Sequence, residues 1–503
     1  MKIKKIQKNL QILISFVLLI NFPTFGESIY INNDDIKNEN QKEKQKNYIS
    51  EKEIIEPFKF SQLKKLLITN NEELQIIQSQ IKQAKRDLNS KFSAWYPRFN
   101  LTSDQLPKYT TSDTRQTLNE NTSSNQLKLG VSAKIEWDLI NPKRKLEIKI
   151  SKEKLQNLNY IYKRNLEDLY FKTLEIYFSI LSSEQEIKKA NQSLKISELT
   201  VNEFKNRFKN GISNKLELLE VKTQLNRDKI NLLNKIDQLE LNQNRFYEIL
   251  NLSKKIRIED DQLAHIYNIW DFDETESLKA GLENSYKLKI NQKNIDINKK
   301  EALSLISGKK PSFVIYNDFS ISSANGETGV VEPDYNKLTK SNSNTVGLKF
   351  NLNLFDGGNI RQKYLSLIER NKELELELNL TKIGLKKEII DKLTQYKSIK
   401  KKIVLAKDQL DFATESLDIA LKRLEAGLGT QREVLNIQGD LIESETNFIE
   451  ALKSYKILIA NLNKLTTLNP QNICTINKKE KENSEFLVYL KNKNLIPHCN
   501  NLI

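Results

Sequence analysis

Side chains that carry enzyme chemistry are scarce in this sequence. Of 503 residues only two are histidine, His265 and His498, and only two are cysteine, Cys474 and Cys499. The sequence has no phosphate-binding loop, no paired-cysteine metal spacing and no nucleophile elbow. Gly357 and Gly358 follow a strand-like run, but the remaining glycines of a nucleotide fingerprint are missing. These residues predict no catalytic site, no metal site and no cofactor. What stands out is a pair of charged turns. "RFKNGISNKLELLEVKTQL" spans Arg207 to Leu225, and "RLEAGLGTQREVLNIQGDL" spans Arg423 to Leu441, 423 − 207 = 216 residues later. Gly211 and Gly427 suit the left-handed residue that ends a helix. Ser213 and Thr430 are placed to cap the helix that follows. Glu217 and Glu433 then fall at matched positions, where the helix dipole favours an acid. A plain helical hairpin accounts for the glycine and the cap. A functional role for the acids stays open beside it.

The turns belong to a larger repeat. "ELQIIQSQIKQAKRDLNSKFSAWYPRF" (Glu73–Phe99) matches "KLKINQKNIDINKKEALSLISGKKPSF" (Lys287–Phe313) at an offset of 288 − 74 = 214. "WDLINPKR" from Trp137 matches "NLFDGGNIR" from Asn353 at nearly the same offset. One unit is therefore duplicated, at 58–252 and 273–467, with a connector at 253–272 and a tail at 468–503. The period is far longer than that of solenoid repeats.

The sequence begins "MKIKKIQKNLQILISFVLLINFPTFGES". Its basic start and short apolar run predict a signal peptide at 1–26, followed by a polar, unstructured linker at 27–57. Removal of 1–26 takes away four lysines, leaving 15 − 4 = +11 net charge. Lysines alternate with glutamates along helices, so solvated helix faces are expected rather than a nucleic-acid surface. An exported chain sits in an oxidising compartment, so a Cys474–Cys499 disulfide is expected, with two unpaired thiols in a loose tail as the alternative.

The elements that must position the turns are strands and unusually long helices. In "QLKLGVSAKIEWDLI", Leu127, Leu129, Val131, Ala133, Ile135, Trp137 and Leu139 alternate with Lys128, Ser132, Lys134, Glu136 and Asp138. "TVGLKFNLNLF" and "SFVIYNDFSIS" alternate too, and "RFNLTSDQL" does so weakly. A soluble half-buried sheet gives this pattern. Charges in mid-strand and long polar connecting segments favour membrane strands with a hydrated inner face. Four strands cannot close a barrel, so the chain must oligomerise. From Arg361 to Ala426 there is no proline, which predicts a helix about 100 Å long. Ile389, Tyr396, Ile403, Leu410, Leu417 and Leu424 recur every seventh residue, a packing seam. The first half places Ile180, Ile187, Leu194, Val201 and Phe208 similarly.

The duplication, "AWYPRF" after the first helix, "LFDGGNIR" after a strand, and the paired turns "NGISNKLELLE" and "AGLGTQREVLN" resemble the TolC family of outer-membrane efflux channels. The resemblance covers about 58–467. It implies an α+β membrane protein, a duplicated helix-strand-strand-helix-helix unit. Three copies would give a twelve-stranded outer-membrane β-barrel continuous with a long periplasmic coiled-coil α-barrel. It also implies a passive exit duct for efflux or type I secretion. The partners would be outer-membrane lipid, a periplasmic adaptor, and an ABC or proton-driven inner-membrane pump. By the same resemblance, Gly211, Ile212, Ser213, Gly427, Leu428, Gly429 and Thr430 are adaptor-docking tips. Glu217, Glu220, Arg432, Glu433 and Asn436 line the periplasmic entrance. The resemblance implies acidic rings there at Glu433 and Asn436, and Asn436 departs from that pattern by lacking the charge. An exported coiled-coil structural or adaptor protein of the periplasm, its strands in a soluble sheet, is the alternative.

Overall fold

The computed structural model describes residues 62–114, 122–252, 265–329, 337–475 and 485–497. The expected signal peptide and linker, His498 and Cys499 lie outside them. The first repeat runs α1 (Leu63–Asn70), α2 (Glu72–Ser93), β1 (Arg98–Thr114), β2 (Thr122–Ile140), α3 (Arg144–Lys209) and α4 (Lys215–Leu250). After β3 (Asn268–Ile269), the second runs α5 (Glu274–Asn284), α6 (Tyr286–Ser307), β4 (Ser312–Gly329), β5 (Lys337–Asn351), α7 (Asn359–Glu425) and α8 (Gln431–Thr466). The tail adds β6 (Gln471–Asn472) and α9 (Glu485–Asn492). Matched helices have near-equal lengths: 22 and 22, 66 and 67, 36 and 36 residues. The duplication in sequence is therefore one of structure.

Local chemistry sets the breaks. The Asn71 side chain accepts from the Leu74 amide and donates to the Ile249 carbonyl at 2.9 Å, tying the start of α2 to the end of α4. Asp273 caps α5 in a reciprocal capping box with Glu276. Asn141 Oδ1 takes the Lys143 amide as the chain bends through Pro142 into α3. In the second repeat Asp356 does this work, accepting from the Gly358 and Ile360 amides while Gly357 and Gly358 take positive φ.

The four long strands form one antiparallel sheet in the order β1-β2-β4-β5. Below it the helices continue in the same order, α2 on α3, α3 on α6, and α6 on α7. Glu153 joins the repeats by pairing with Lys293 at 2.6 Å and Lys300 at 3.1 Å. One face of the sheet carries Leu129, Val131, Ile135, Phe319, Ile321, Val346 and Leu348, all exposed in the protomer. The opposite face carries Lys134, paired to Glu136 at 2.9 Å, and Ser132, hydrogen-bonded to Thr102 at 2.8 Å.

The connecting segments are shorter than expected. Much of "PKYTTSDTRQTLNENTSSN" and "SANGETGVVEPDYNKLTKSNSN" is strand: β1 runs to Thr114, β2 starts at Thr122, β4 runs to Gly329 and β5 starts at Lys337. Polar composition suggested loop, but the ladder is held by backbone pairing, which Ser, Thr and Asn support as well as apolar residues do.

The helical part has its own cores. One gathers Leu63, Leu67, Leu74, Tyr177, Phe246 and Leu250. A larger one joins Ile389, Tyr396, Ile403, Tyr455 and Leu462 to Trp270 and, from the tail, Leu487 and Leu490. Tyr396 and Tyr455 lie 5.8 Å apart, and each reaches back to the short strand segment, Tyr396 to the Trp270 amide and Tyr455 to the Asn268 carbonyl. The tail packs along α7. Tyr489 hydrogen-bonds Asp408 at 2.8 Å, and Lys493 pairs with Asp411 at 2.7 Å and Asp408 at 3.3 Å. Cys474 is disulfide-bonded.

The first-repeat seam begins as expected with the fully buried Ile180 and then departs from expectation. Ser183, Ala190, Ser197 and Phe204 are the buried residues seven apart on α3. Ile187, Leu194 and Val201 are only half-buried and Phe208 is exposed. The seam follows the small residues because α3 packs closely against α4 and α8.

A cavity of about 760 Å³ lies where α3, α8, β3 and the segment up to β6 meet, lined by Tyr170, Phe171, Tyr455, Lys464 and Glu167. Burial, helped by neighbouring Asp168 and opposed by Lys464, pushes the Glu167 carboxyl from 4.5 up to about 6. A raised carboxyl pKa means the fold holds a proton that the unfolded chain has released. Glu167 therefore costs stability increasingly as pH rises from 4.5 through 6. A Glu167→Gln variant is expected to melt higher than the parent above pH 6 and to converge with it below pH 4.5. Thermal melts across that range check this.

Candidate functional site

The two charged turns join α3 to α4 and α7 to α8. Each closes its first helix the same way. The Ile212 amide reaches the Arg207 carbonyl at 2.8 Å and the Gly211 amide reaches Phe208 at 3.1 Å. Leu428 to Arg423 at 2.9 Å and Gly427 to Leu424 at 3.1 Å repeat the pattern. These are paired Schellman motifs with glycine at the left-handed residue, φ +69° and +71°. No atom lies near the place of a Cβ at either glycine, so backbone conformation alone requires them.

The caps correct one expectation. Asn214, not Ser213, caps α4, because it lies one residue before Lys215 and its side chain takes the Glu217 amide at 2.9 Å. Asn214 is the true counterpart of Thr430, at 430 − 214 = 216. Among the described residues the buried Ser213 hydroxyl has no hydrogen-bond partner. Glu217 completes a capping box by accepting from the Asn214 amide at 3.2 Å. Its acid thus has a structural task. Glu433 differs: Thr430 takes its amide at 3.2 Å, and among the described residues its carboxylate has no hydrogen-bond or ion-pair partner. The matched acids are not equivalent.

One pair joins the two repeats at this end. The Arg432 guanidinium donates to the Glu220 carboxylate. That hydrogen bond and charge raise the Arg432 pKa further. Arg423 instead donates to the Leu428 carbonyl within its own turn, at 3.4 Å. Asn436 is exposed, and the apolar side chains of Ile212 and Leu428 point into solvent. Behind the turns, Val434 packs on Leu417 and Ala420. The structure brings Glu220 and Arg432 together in an ion pair in which, among the described residues, Glu433 and Asn436 take no part.

Sequence reasoning missed the polar seam above the turns. Val221, Asp228, Lys235, Asn242 and Ile249 are each seven apart on α4, and the middle three are polar. Asp228, 4% exposed, accepts from Ser197 and from Gln224 at 2.9 Å. Lys235 pairs with Glu186 at 2.6 Å, and Asn242 donates to Ser183 at 3.3 Å. Gln438 of α8 reaches Ser193 at 3.1 Å. Their seven-residue spacing was the available signal.

Residues 63–252 and 282–467 match the family model described as outer membrane efflux protein. The chain belongs to the outer membrane efflux protein family. The TolC-like resemblance thus holds over both repeats, and the protein is an outer-membrane channel protein extending into the periplasm. Among solved structures, the CmeC outer membrane channel of Campylobacter jejuni is 14% identical, with a TM-score of 0.65 over 87% of this chain and 90% of that one. The outer membrane protein VceC of Vibrio cholerae is 12% identical, TM-score 0.62, over 81% and 96%. The open-state MtrE channel of Neisseria gonorrhoeae is 12% identical, TM-score 0.59, over 80% and 88%. These likenesses show the fold. No curated protein matches the sequence.

Two glycines test the turn reading by opposite signs. Gly427→Ala forces a Cβ into a left-handed conformation and is expected to lower stability by about 1 kcal/mol. Gly384→Ala, in the middle of α7 with open space around it, is expected to raise stability by about 0.5–1 kcal/mol. Urea unfolding of both variants beside the parent measures this.

Proposed function

We propose that three copies of this chain form a passive exit duct of a tripartite efflux or type I secretion system. The observation that carries the reading is the sheet. Its apolar face lies open, with Val346 66% and Leu348 60% exposed, while its other face carries the ion pair. A soluble sheet buries its apolar face; this one faces outward, as toward hydrocarbon. Among the described residues of the protomer, both edge strands, β1 and β5, lack an outer partner. Lipid leaves such backbone groups no water to bond, so copies must supply the missing pairs. Three protomers close a twelve-stranded barrel. Further down, α4 leaves Leu216, Leu219, Ile230 and Leu233 exposed, and α7 leaves Leu376, Ile383, Leu405 and Phe412 exposed. These are stripes for neighbouring copies to cover.

The helix turns form the periplasmic mouth. Gly211, Ile212, Ser213, Gly427, Leu428, Gly429 and Thr430 present short apolar and backbone surfaces to a periplasmic adaptor, which links the duct to an inner-membrane pump. Arg432 and Glu220 hold adjacent hairpins together when the mouth is narrow. Three Glu433 carboxylates, free of local partners, converge there and favour cations. Glu217 serves the cap, and Asn436 adds no charge.

The membrane reading is tested by Leu348→Arg. In lipid the change is expected to cost about 2–4 kcal/mol, and to deplete folded trimer from the outer-membrane fraction. A soluble coiled-coil protein would tolerate it at an already exposed site. Recovery of parent and variant alike as soluble monomers sinks the duct.

The mouth is tested in planar bilayers. Arg432→Ala is expected to raise conductance several-fold, and Glu433→Ala to weaken cation preference. Unchanged conductance and selectivity in both would remove these residues from the entrance.

A further inference from the structure

The repeats differ where helix passes into strand at the periplasmic end of the sheet. In the first repeat Trp95 and Tyr96 stand there, both exposed. Arg144 stacks over the Trp95 ring at 4.4 Å, and Trp137 donates to the Trp95 carbonyl at 3.0 Å. At the same offset of 214 the second repeat has Lys309 and Lys310. An aromatic pair has been replaced by a basic one.

Beside Lys310 is a recess of about 520 Å³, lined also by Lys143 from the β2–α3 turn and by Asn141, Asn351 and Asn353. Phe350 forms part of its wall and packs on Phe313 at 5.1 Å on the apolar face of the sheet. Lys143 reaches this place because Gly308 lacks a side chain: a Cβ there would stand 2.4 Å from the lysine Cε and 2.8 Å from its Nζ. The ammonium thus sits at the carbonyl end of α6, where a cation is favoured. Among the described residues neither Lys143 nor Lys310 has an ion-pair partner, whereas Lys134 in the sheet is paired with Glu136 and Lys309 lies within reach of Asp356.

We propose that this recess binds the phosphate headgroup of an anionic phospholipid in the periplasmic leaflet. The proposal rests on the outer-membrane location of the family. Two unpaired ammonium groups call for an anion, and their position at the edge of the apolar band selects one with a hydrocarbon tail. Lys143 and Lys310 hold the phosphate. The asparagine amides donate to the remaining headgroup oxygens. The acyl chains run up over Phe350 and Phe313. Trp95 and Tyr96 occupy the same depth in the other repeat, where aromatic rings anchor in the interface without binding a charge.

The test uses full-length protein, stripped of lipid in detergent and then given phosphatidylglycerol, phosphatidylcholine or inorganic phosphate, with native mass spectrometry and thermal melting as readouts. Phosphatidylglycerol is expected to remain bound and raise the melting temperature; phosphatidylcholine is not. The Lys143→Gln, Lys310→Gln double variant is expected to bind phosphatidylglycerol at least tenfold more weakly, and Lys143→Arg, Lys310→Arg to retain it. Gly308→Ala, which displaces Lys143 with both charges kept, is expected to weaken it too. Lys128→Gln, higher on the charged face of the sheet, is expected to change nothing. Parent-like binding by the double Gln variant, equal binding of phosphatidylcholine, or displacement of the lipid by millimolar phosphate overturns the proposal. Trimer mass and conductance, followed in parallel, show whether the duct itself stands.

Discussion

The sheet's incompleteness governs the rest of the molecule. Four long strands lie side by side with apolar residues outward and both edges open. Backbone groups at an open edge need partners, and apolar side chains need a medium other than water. Neither need is met among the described residues of one protomer. The helices below inherit the arrangement, because each strand leads from or into one helix and the helical order repeats the strand order. The exposed stripes on α4 and α7 are the same deficit expressed in helices.

Duplication supplies the architecture, and the differences between copies supply its individuality. Asn141 and Asp356 make equivalent bends from strand to helix, one through proline and the other through two left-handed glycines. Asn214 and Thr430 cap equivalent helices, but only the first shares a capping box with its acid. Equivalent backbones tolerate these changes because each local motif satisfies the same orphan amides by different atoms. A carboxylate released from capping is one available for other work, which separates Glu433 from Glu217.

Much of this was legible in the sequence because it is periodic. Alternation from Leu127 to Leu139 marked β2 and its two faces, and the seven-residue stripe from Ile389 to Leu424 marked the seam of α7. The glycines marked the turns, since few other residues take positive φ. What escaped were features without an apolar signature. Thr110 to Thr114 form strand through backbone pairing with residues 122–126, and composition is blind to that. Ser183, Ser197 and Asp228 look like surface residues until a neighbouring helix covers them. Ser213 and Asn214 are both good caps, and only the first residue of α4 decides between them. Cross-repeat contacts such as Arg432 with Glu220 depend on how hairpins lie together, which no local pattern encodes.

The two hairpins differ in their polar contacts. The second-repeat pair α7 and α8 closes over Ile403, Tyr396, Tyr455 and Leu462, and the tail clamps α7 through Tyr489 and Lys493. The first-repeat pair α3 and α4 is joined over three successive heptads by Ser197 with Asp228, Glu186 with Lys235, and Ser183 with Asn242. Buried polar pairs fix register more than they add cohesion, since each must offset its own desolvation. The first hairpin thus adds polar register pairs to an apolar core of its own, where Tyr177 of α3 packs with Phe246 and Leu250 of α4, so both hairpins are anchored by apolar burial. Between the two hairpins, beside their turns, stands a pair with Arg432 largely in solvent, where screening keeps ionic contacts weak. A weak contact joining two hairpins that each have an apolar core yields before either hairpin unravels. Under the proposed function, that hierarchy lets an entrance widen by separating helices that remain intact.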